Sequence, residues 1–140
     1  MNGDTHTHTI RVYYEDTDHG GVVYYANYLK FMERGRTEFL RSLGLELDAI
    51  DQQYGILFAV TEANIRYHRP ARFNDLLQVE SRITMLRGAR IHFAQRVLRV
   101  ADNTLLADAE IKLACTHRDG GVRRIPAPMM ACLQSISEGR

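Results

Sequence analysis

At 140 residues with 45% hydrophobic content, the chain is long enough for one domain with a real core, residues 1–140, and too short to expect two. Lys+Arg number 18 against 17 Asp+Glu, and a formal net charge of +1 leaves no bulk electrostatic case for nucleic acid. No apolar run approaches the roughly 20 residues of a transmembrane segment. Met1 to Thr9 is polar and lacks the apolar centre of a signal peptide, so the reading is a cytoplasmic protein.

Residues from about Thr7 to Tyr14 alternate, with Ile10, Val12 and Tyr14 on one side, which reads as a strand. An Asp16-Thr17-Asp18-His19-Gly20-Gly21 loop follows. From about Ala26 the apolar period lengthens, and Leu29, Met32, Phe39, Leu40 and Leu43 form the stripe of one long helix that Gly44 stops. Opposite charges three or four apart, such as Glu38 and Arg41, line its polar side. Beyond it the chain reads as antiparallel sheet: Ile56 to Tyr67, Leu77 to Met85, Ile91 to Val100, and Leu105 to Thr116. Leu86-Arg87-Gly88-Ala89 is a hairpin turn with glycine available for positive φ. After Pro126 and Pro128 a turn of helix is expected over Met129 to Ser137. A strand, one helix and a four-strand meander make an α+β fold, in which the concave face of a curled sheet is the only large surface for the helix stripe. Sheet edges left open invite a second subunit.

The chemistry centres on Asp18. An acid in a tight loop just ahead of a helix N-terminus faces unpaired backbone N–H groups across a short gap. Those donors hold a carbonyl oxygen while the acid acts on the carbonyl carbon or on a water, the minimum equipment for acyl transfer without a serine or cysteine nucleophile. Tyr13, Tyr14, Tyr24, Tyr25 and Tyr28 flank the loop, and an acid enclosed by rings is poorly solvated. Asp16 and Asp18 as plain turn residues are the competing reading. His6 and His8 read as solvent-exposed, and His19 as a loop histidine beside Asp18. Cys115 and Cys132 belong to no metal or disulfide pattern and read as buried or half-buried thiols; no metal or organic cofactor is called for. Arg87 and Arg90 flank a glycine turn and suit phosphates, though charged hairpin tips are common.

Asp18-x-x-Gly21-Val22-Val23-Tyr24-x-x-Asn27-x-x-x-Phe31, preceded by Arg11-Val12 and Thr17, resembles the hotdog-fold acyl-CoA thioesterases of the 4-hydroxybenzoyl-CoA thioesterase class. Arg11-Val12-Tyr13-Tyr14-Glu15-Asp16-Thr17-Asp18, with Glu33-Arg34 and Arg36-Thr37-Glu38, is similar to the YbgC branch, associated with the Tol-Pal system. Pro70-Ala71-Arg72, Met85-Leu86-Arg87-Gly88 and Asn103-Thr104-Leu105-Leu106 extend the likeness over nearly the whole chain. The resemblance implies a hotdog fold, a long central helix wrapped by a five-stranded antiparallel sheet, in homodimers with a continuous ten-stranded sheet and often homotetramers. It implies Asp18 as nucleophile or general base, the Tyr25 backbone N–H as the group polarising the thioester carbonyl, and Tyr14 in the same pocket. Gly21 and Val22 fall in the substrate-binding part of the motif, and Arg87 and Arg90 suit the coenzyme A phosphates. Many YbgC-like members carry His where this chain has Tyr25. Two rivals follow: a hydratase or dehydratase on acyl thioesters, which wants a His–carboxylate pair that the sequence does not show, and a non-catalytic acyl-thioester-binding or scaffold protein of an envelope or lipid-synthesis complex.

Overall fold

The computed structural model describes residues 5–137, so the first part of the polar start read against a signal peptide lies outside the described residues. The elements run β1 (His6–Arg11), a 3-10 turn (Tyr14–Asp16), α1 (Asn27–Ser42), α2 (Leu47–Tyr54), β2 (Ile56–Tyr67), β3 (Leu76–Arg87), β4 (Arg90–Arg99), β5 (Leu105–His117) and α3 (Ala127–Ser137). All five strands join one antiparallel sheet in the order β1-β3-β4-β5-β2. The single five-stranded antiparallel sheet with α1 against it is the arrangement the resemblance implies. The four-strand meander is corrected: only β3, β4 and β5 follow one another, and β2 crosses to the far edge beside β5. The segment between β2 and β3 does other work, for Ala71 accepts from Val23 N–H at 2.8 Å and Asp75 from Val12 N–H at 2.9 Å. The chain is thereby carried across the sheet before β3 begins.

β1 also ends sooner than the alternation suggests. Val12 is fully buried, but Tyr14 has turned into the 3-10 segment and is 75% exposed. His6, read as exposed, is half-buried and stacks on Phe39 at 5.5 Å; burial, with His8 nearby, lowers its pKa.

Helix α1 buries Tyr28, Phe31, Met32, Gly35, Arg36, Phe39 and Leu40, a face of three- and four-residue steps. Leu29 of the expected stripe is exposed instead. The face is rotated because its centre holds a glycine and an arginine, which an apolar count passes over. A Cβ on Gly35 would lie 2.6 Å from Val79 Cγ1 and 3.2 Å from Ser81 Oγ, so the missing side chain is what allows the helix to approach β3. Beside it Gln95 Nε2 donates to Met32 O at 2.9 Å and to Ser81 Oγ at 2.8 Å, while its Oε1 accepts from Arg36 Nη1 at 3.0 Å. All three of these polar side chains are buried, and each has a partner. Gly44, with φ 81°, ends α1, and Leu45 N–H returns to Leu40 O at 2.9 Å.

Gly35→Ala should overpack this seat and cost about 1–3 kcal/mol. The expected reading is a lower midpoint in urea with the same slope; an unchanged midpoint would show that the sheet yields freely.

Candidate active site

The loop carrying Asp18 is a miniature hairpin. Asp18 N–H donates to Val22 O at 2.9 Å, Gly21 N–H returns to Asp18 O at 3.1 Å, and Thr17 bridges Val23. Gly21 sits at φ 77°, a conformation that favours glycine. Asp18 Oδ1 accepts from Gly20 N–H at 2.9 Å, so its carboxylate is held over the tip of the turn. The return arm is anchored from outside: Val22 bridges Arg72, and Gly21 O accepts from Phe73 N–H at 3.2 Å.

The arm then runs into the start of α1. Tyr24 N–H donates to Asp16 O at 3.1 Å, and Asn27 Nδ2 donates to the same oxygen at 2.8 Å, tying the helix to the outgoing arm. Asp16 itself accepts from Tyr13 N–H at 2.8 Å, a turn role. Asn27, Tyr28 and Leu29 N–H donate to the carbonyls of Tyr24, Tyr25 and Ala26. The N–H groups of Tyr25 and Ala26 make no hydrogen bond among the described residues. Two donors at the positive end of a 16-residue helix thus remain free, on the hairpin that carries Asp18.

Beside them opens a cavity of about 230 Å³, lined by Val23, Tyr25, Tyr28, Tyr67 and the His68–Pro70 segment. Tyr67 Oη donates to Tyr25 O at 3.2 Å, and the buried Tyr28 Oη accepts from Ala71 N–H at 3.0 Å. Burial pushes both phenols above their ordinary range; the Ala71 bond works against this at Tyr28, and Tyr25 adds to it at Tyr67.

Several expected site residues stand elsewhere than the sequence suggests. Asp18 is exposed in the single chain, so the flanking rings do not enclose it. Tyr14 makes an edge contact with Phe73 at 5.7 Å and is not part of the lining of the 230 Å³ cavity. Arg87 and Arg90 face each other across the β3–β4 tip, exposed. Asp18 lies by the opposite end of β3, and that strand's 12 residues separate its ends by roughly 35 Å of extended chain. Within one chain the structure does not bring the arginines to Asp18. It does show a His–carboxylate pair that the sequence did not: His68 Nε2 lies 2.6 Å from Asp108 Oδ2, with Arg66 3.8 Å from the other oxygen. Only the register of β2 on β5, Arg66 opposite Asp108, brings these residues together. Among the described residues no group of three or more His, Cys, Asp or Glu is placed to hold a metal.

A five-stranded antiparallel sheet in the order β1-β3-β4-β5-β2 packed against α1 defines the class as a hotdog-type domain. The family model described as the thioesterase-like superfamily matches residues 12–133. The chain is 47% identical over 107 residues to the acyl-CoA thioesterase YbgC of Haemophilus influenzae, covering 76% of each protein. It is 43% identical over 115 residues to the acyl-CoA thioester hydrolase YbgC of Escherichia coli O6:H1, covering 82% of this chain and 84% of that one. A probable thioesterase from Bartonella henselae superposes with TM-score 0.81 at 38% identity, over 87% of this chain and 99% of that one. The chain belongs to the thioesterase-like superfamily, on its YbgC branch, and is a thioesterase.

Asn27→Ala removes the bond that ties the helix start to the outgoing arm, a loss of about 1 kcal/mol. Hydrogen exchange at Tyr24 N–H that speeds up by more than the roughly fivefold shared by the globally opening β3–β4 amides is the expected signature.

Proposed function

We propose that the chain hydrolyses acyl-CoA thioesters to the free acid and coenzyme A, with Asp18 as the catalytic carboxylate and the Tyr25 backbone N–H as carbonyl polariser. The observation that carries this reading is the pairing, on one hairpin, of an exposed carboxylate with unpaired N–H donors at the start of α1. As general base, Asp18 takes a proton from water while the oxygen bonds to the carbonyl carbon. The developing oxyanion accepts from Tyr25 N–H, and collapse breaks the C–S bond as the thiolate leaves with the proton from Asp18. As nucleophile, Asp18 attacks the carbonyl carbon, the C–S bond breaks as the coenzyme A thiolate leaves, and water then opens the acyl anhydride to give the acid and free Asp18. Neither route needs a cofactor.

On this reading the domain, residues 1–140, works in the cytoplasm as a homodimer or homotetramer. β2 supports that assembly: it is a 12-residue edge strand with Leu57, Val60 and Tyr67 exposed, the sort of edge that pairs with a second copy. Gly21 and Val22 shape the substrate side of the turn, with Tyr14 beside them. Arg87 and Arg90, roughly a strand length from Asp18, then hold coenzyme A phosphates for the site of a neighbouring subunit.

A thiol-release assay over a panel of acyl-CoAs tests the reading. Asp18→Asn should lower hydrolysis by about a hundredfold or more with the melting temperature nearly unchanged, and Asp16→Asn should do far less. Equal losses at both positions would make the loop structural.

The donor role is separable. Tyr25→Phe keeps the N–H and should retain most activity, whereas Tyr25→Pro deletes it and should cost roughly a hundredfold in turnover, provided the folded state is verified. If Tyr25→Phe abolishes turnover and Tyr25→His restores it, the side chain and not the backbone takes part. Chelation by EDTA should leave the activity intact; loss with recovery on added zinc would bring the histidines into the mechanism.

A further inference from the structure

A second cavity, of about 130 Å³, lies between α1 and the sheet, with Leu40, Phe58, Phe93 and Met129 among its walls and Glu33 and Arg36 on its α1 side. Arg36 is only 8% exposed and makes no ion pair among the described residues. Its one protein acceptor among them is Gln95 Oε1, at 3.0 Å, which leaves most of a five-donor guanidinium without a partner. Its remaining nitrogens keep some solvent access, so water covers them in the free protein and a carboxylate can take that water's place. Burial pulls the Arg36 pKa down and the nearby Glu33 charge opposes this, but Glu33 is itself exposed.

We propose that this cavity takes the far end of the acyl group and that Arg36 is a specificity-determining residue for acyl chains ending in a carboxylate; the proposal rests on the acyl-CoA hydrolase reading above. The chemistry fits the walls: methylenes lie against Leu40, Phe58 and Phe93, and the terminal carboxylate receives the free guanidinium donors. The volume admits about four water-sized groups, room for the end of a chain and not for a large ring system. Arg36 follows Asn27 by nine residues, about 13 Å along the axis. Its side chain leans back toward the helix start. The reach from a thioester at that start therefore suits a chain of medium length. Glu33 at the mouth repels an entering anion weakly, since solvent screens it.

The test compares kcat/KM of the intact protein for suberyl-CoA against octanoyl-CoA, and for adipyl-CoA against hexanoyl-CoA, pairs that differ by a terminal carboxylate in place of a methyl. The expected result is a preference of about tenfold or more for suberyl-CoA over octanoyl-CoA, the scale of a charge-assisted hydrogen bond. Arg36→Gln should erase that ratio and Glu33→Gln should widen it. Equal rates in the unaltered protein, or a preference that survives Arg36→Gln, would overturn the proposal. If Arg36→Gln does not fold, inhibition of the unaltered enzyme by free suberate against octanoate decides, with tighter suberate expected and equal inhibition overturning the idea. Should neither thioester nor any other acyl-CoA of the panel be hydrolysed, the hydrolase reading fails by itself. Calorimetric titration with the same two thioesters then reads the cavity separately: about tenfold tighter suberyl-CoA supports it, and equal binding sinks it.

Discussion

The distance between α1 and the sheet is set by an absent side chain. At Gly35 the helix backbone comes so near Val79 that a single added carbon would lie 2.6 Å from it. Contact at that range buries the neighbouring Ser81 hydroxyl and Gln95 amide, and they bond within the seat: Gln95 reaches the helix carbonyl at Met32, the Ser81 hydroxyl and one N–H of the Arg36 guanidinium. Hydrogen bonds fix direction where dispersion fixes only distance. The seat therefore determines how far α1 stands from the sheet and how it is turned about its axis.

The position of the helix start follows from that seat. Tyr28 reaches Ala71 and Tyr67 reaches the Tyr25 carbonyl, so the first turn is held by the segment that links β2 to β3 and by the end of β2. The same linking segment pairs with the outgoing chain at Val12 and with the return arm at Gly21 and Val23. The turn bearing Asp18 is thus a surface loop whose two arms are pinned to one external template. Its precision comes from backbone bonds, which tolerate side-chain change at many of the flanking positions. A surface loop can in this way be held with the precision of an element of the core.

Much of this could be read from the residues. Alternation located β2 to β5 closely, Gly88 marked the β3–β4 turn, and the Asp18 loop ahead of a helix was legible as a candidate site because acid, glycines and helix start are adjacent in the chain. The misses have physical reasons. Helix α2 went unread, although Leu47 and Ile50 are three apart and Gly55, at φ 70°, closes it; eight residues carry too little periodicity to stand out. Alternation also says which face a strand buries but not which neighbour it takes, so β2 was placed next to β3. Gly35 and Arg36 were invisible as buried residues because their burial depends on close approach and on Gln95, some sixty positions away. His68 and Asp108 are separated by 40 residues, and nothing short of the β2–β5 register joins them.

The strand order also bears on how the molecule assembles in time. β3, β4 and β5 are joined by short turns, so their pairing closes small loops and costs little chain entropy. β2 pairs with β5 across the whole intervening meander, and β1 pairs with β3 across α1, α2 and β2. Long closures of this kind become favourable once a template exists, which places the meander early in folding and the two flanking strands later. The turn bearing Asp18 depends on both late events, since its arms are pinned by the chain leaving β1 and by the chain leaving β2. It is therefore among the last features to form and, by the same energetics run in reverse, among the first to open. The core can persist through fluctuations that dismantle the turn, so a chain can remain folded by every global probe while the geometry around Asp18 is intermittently lost.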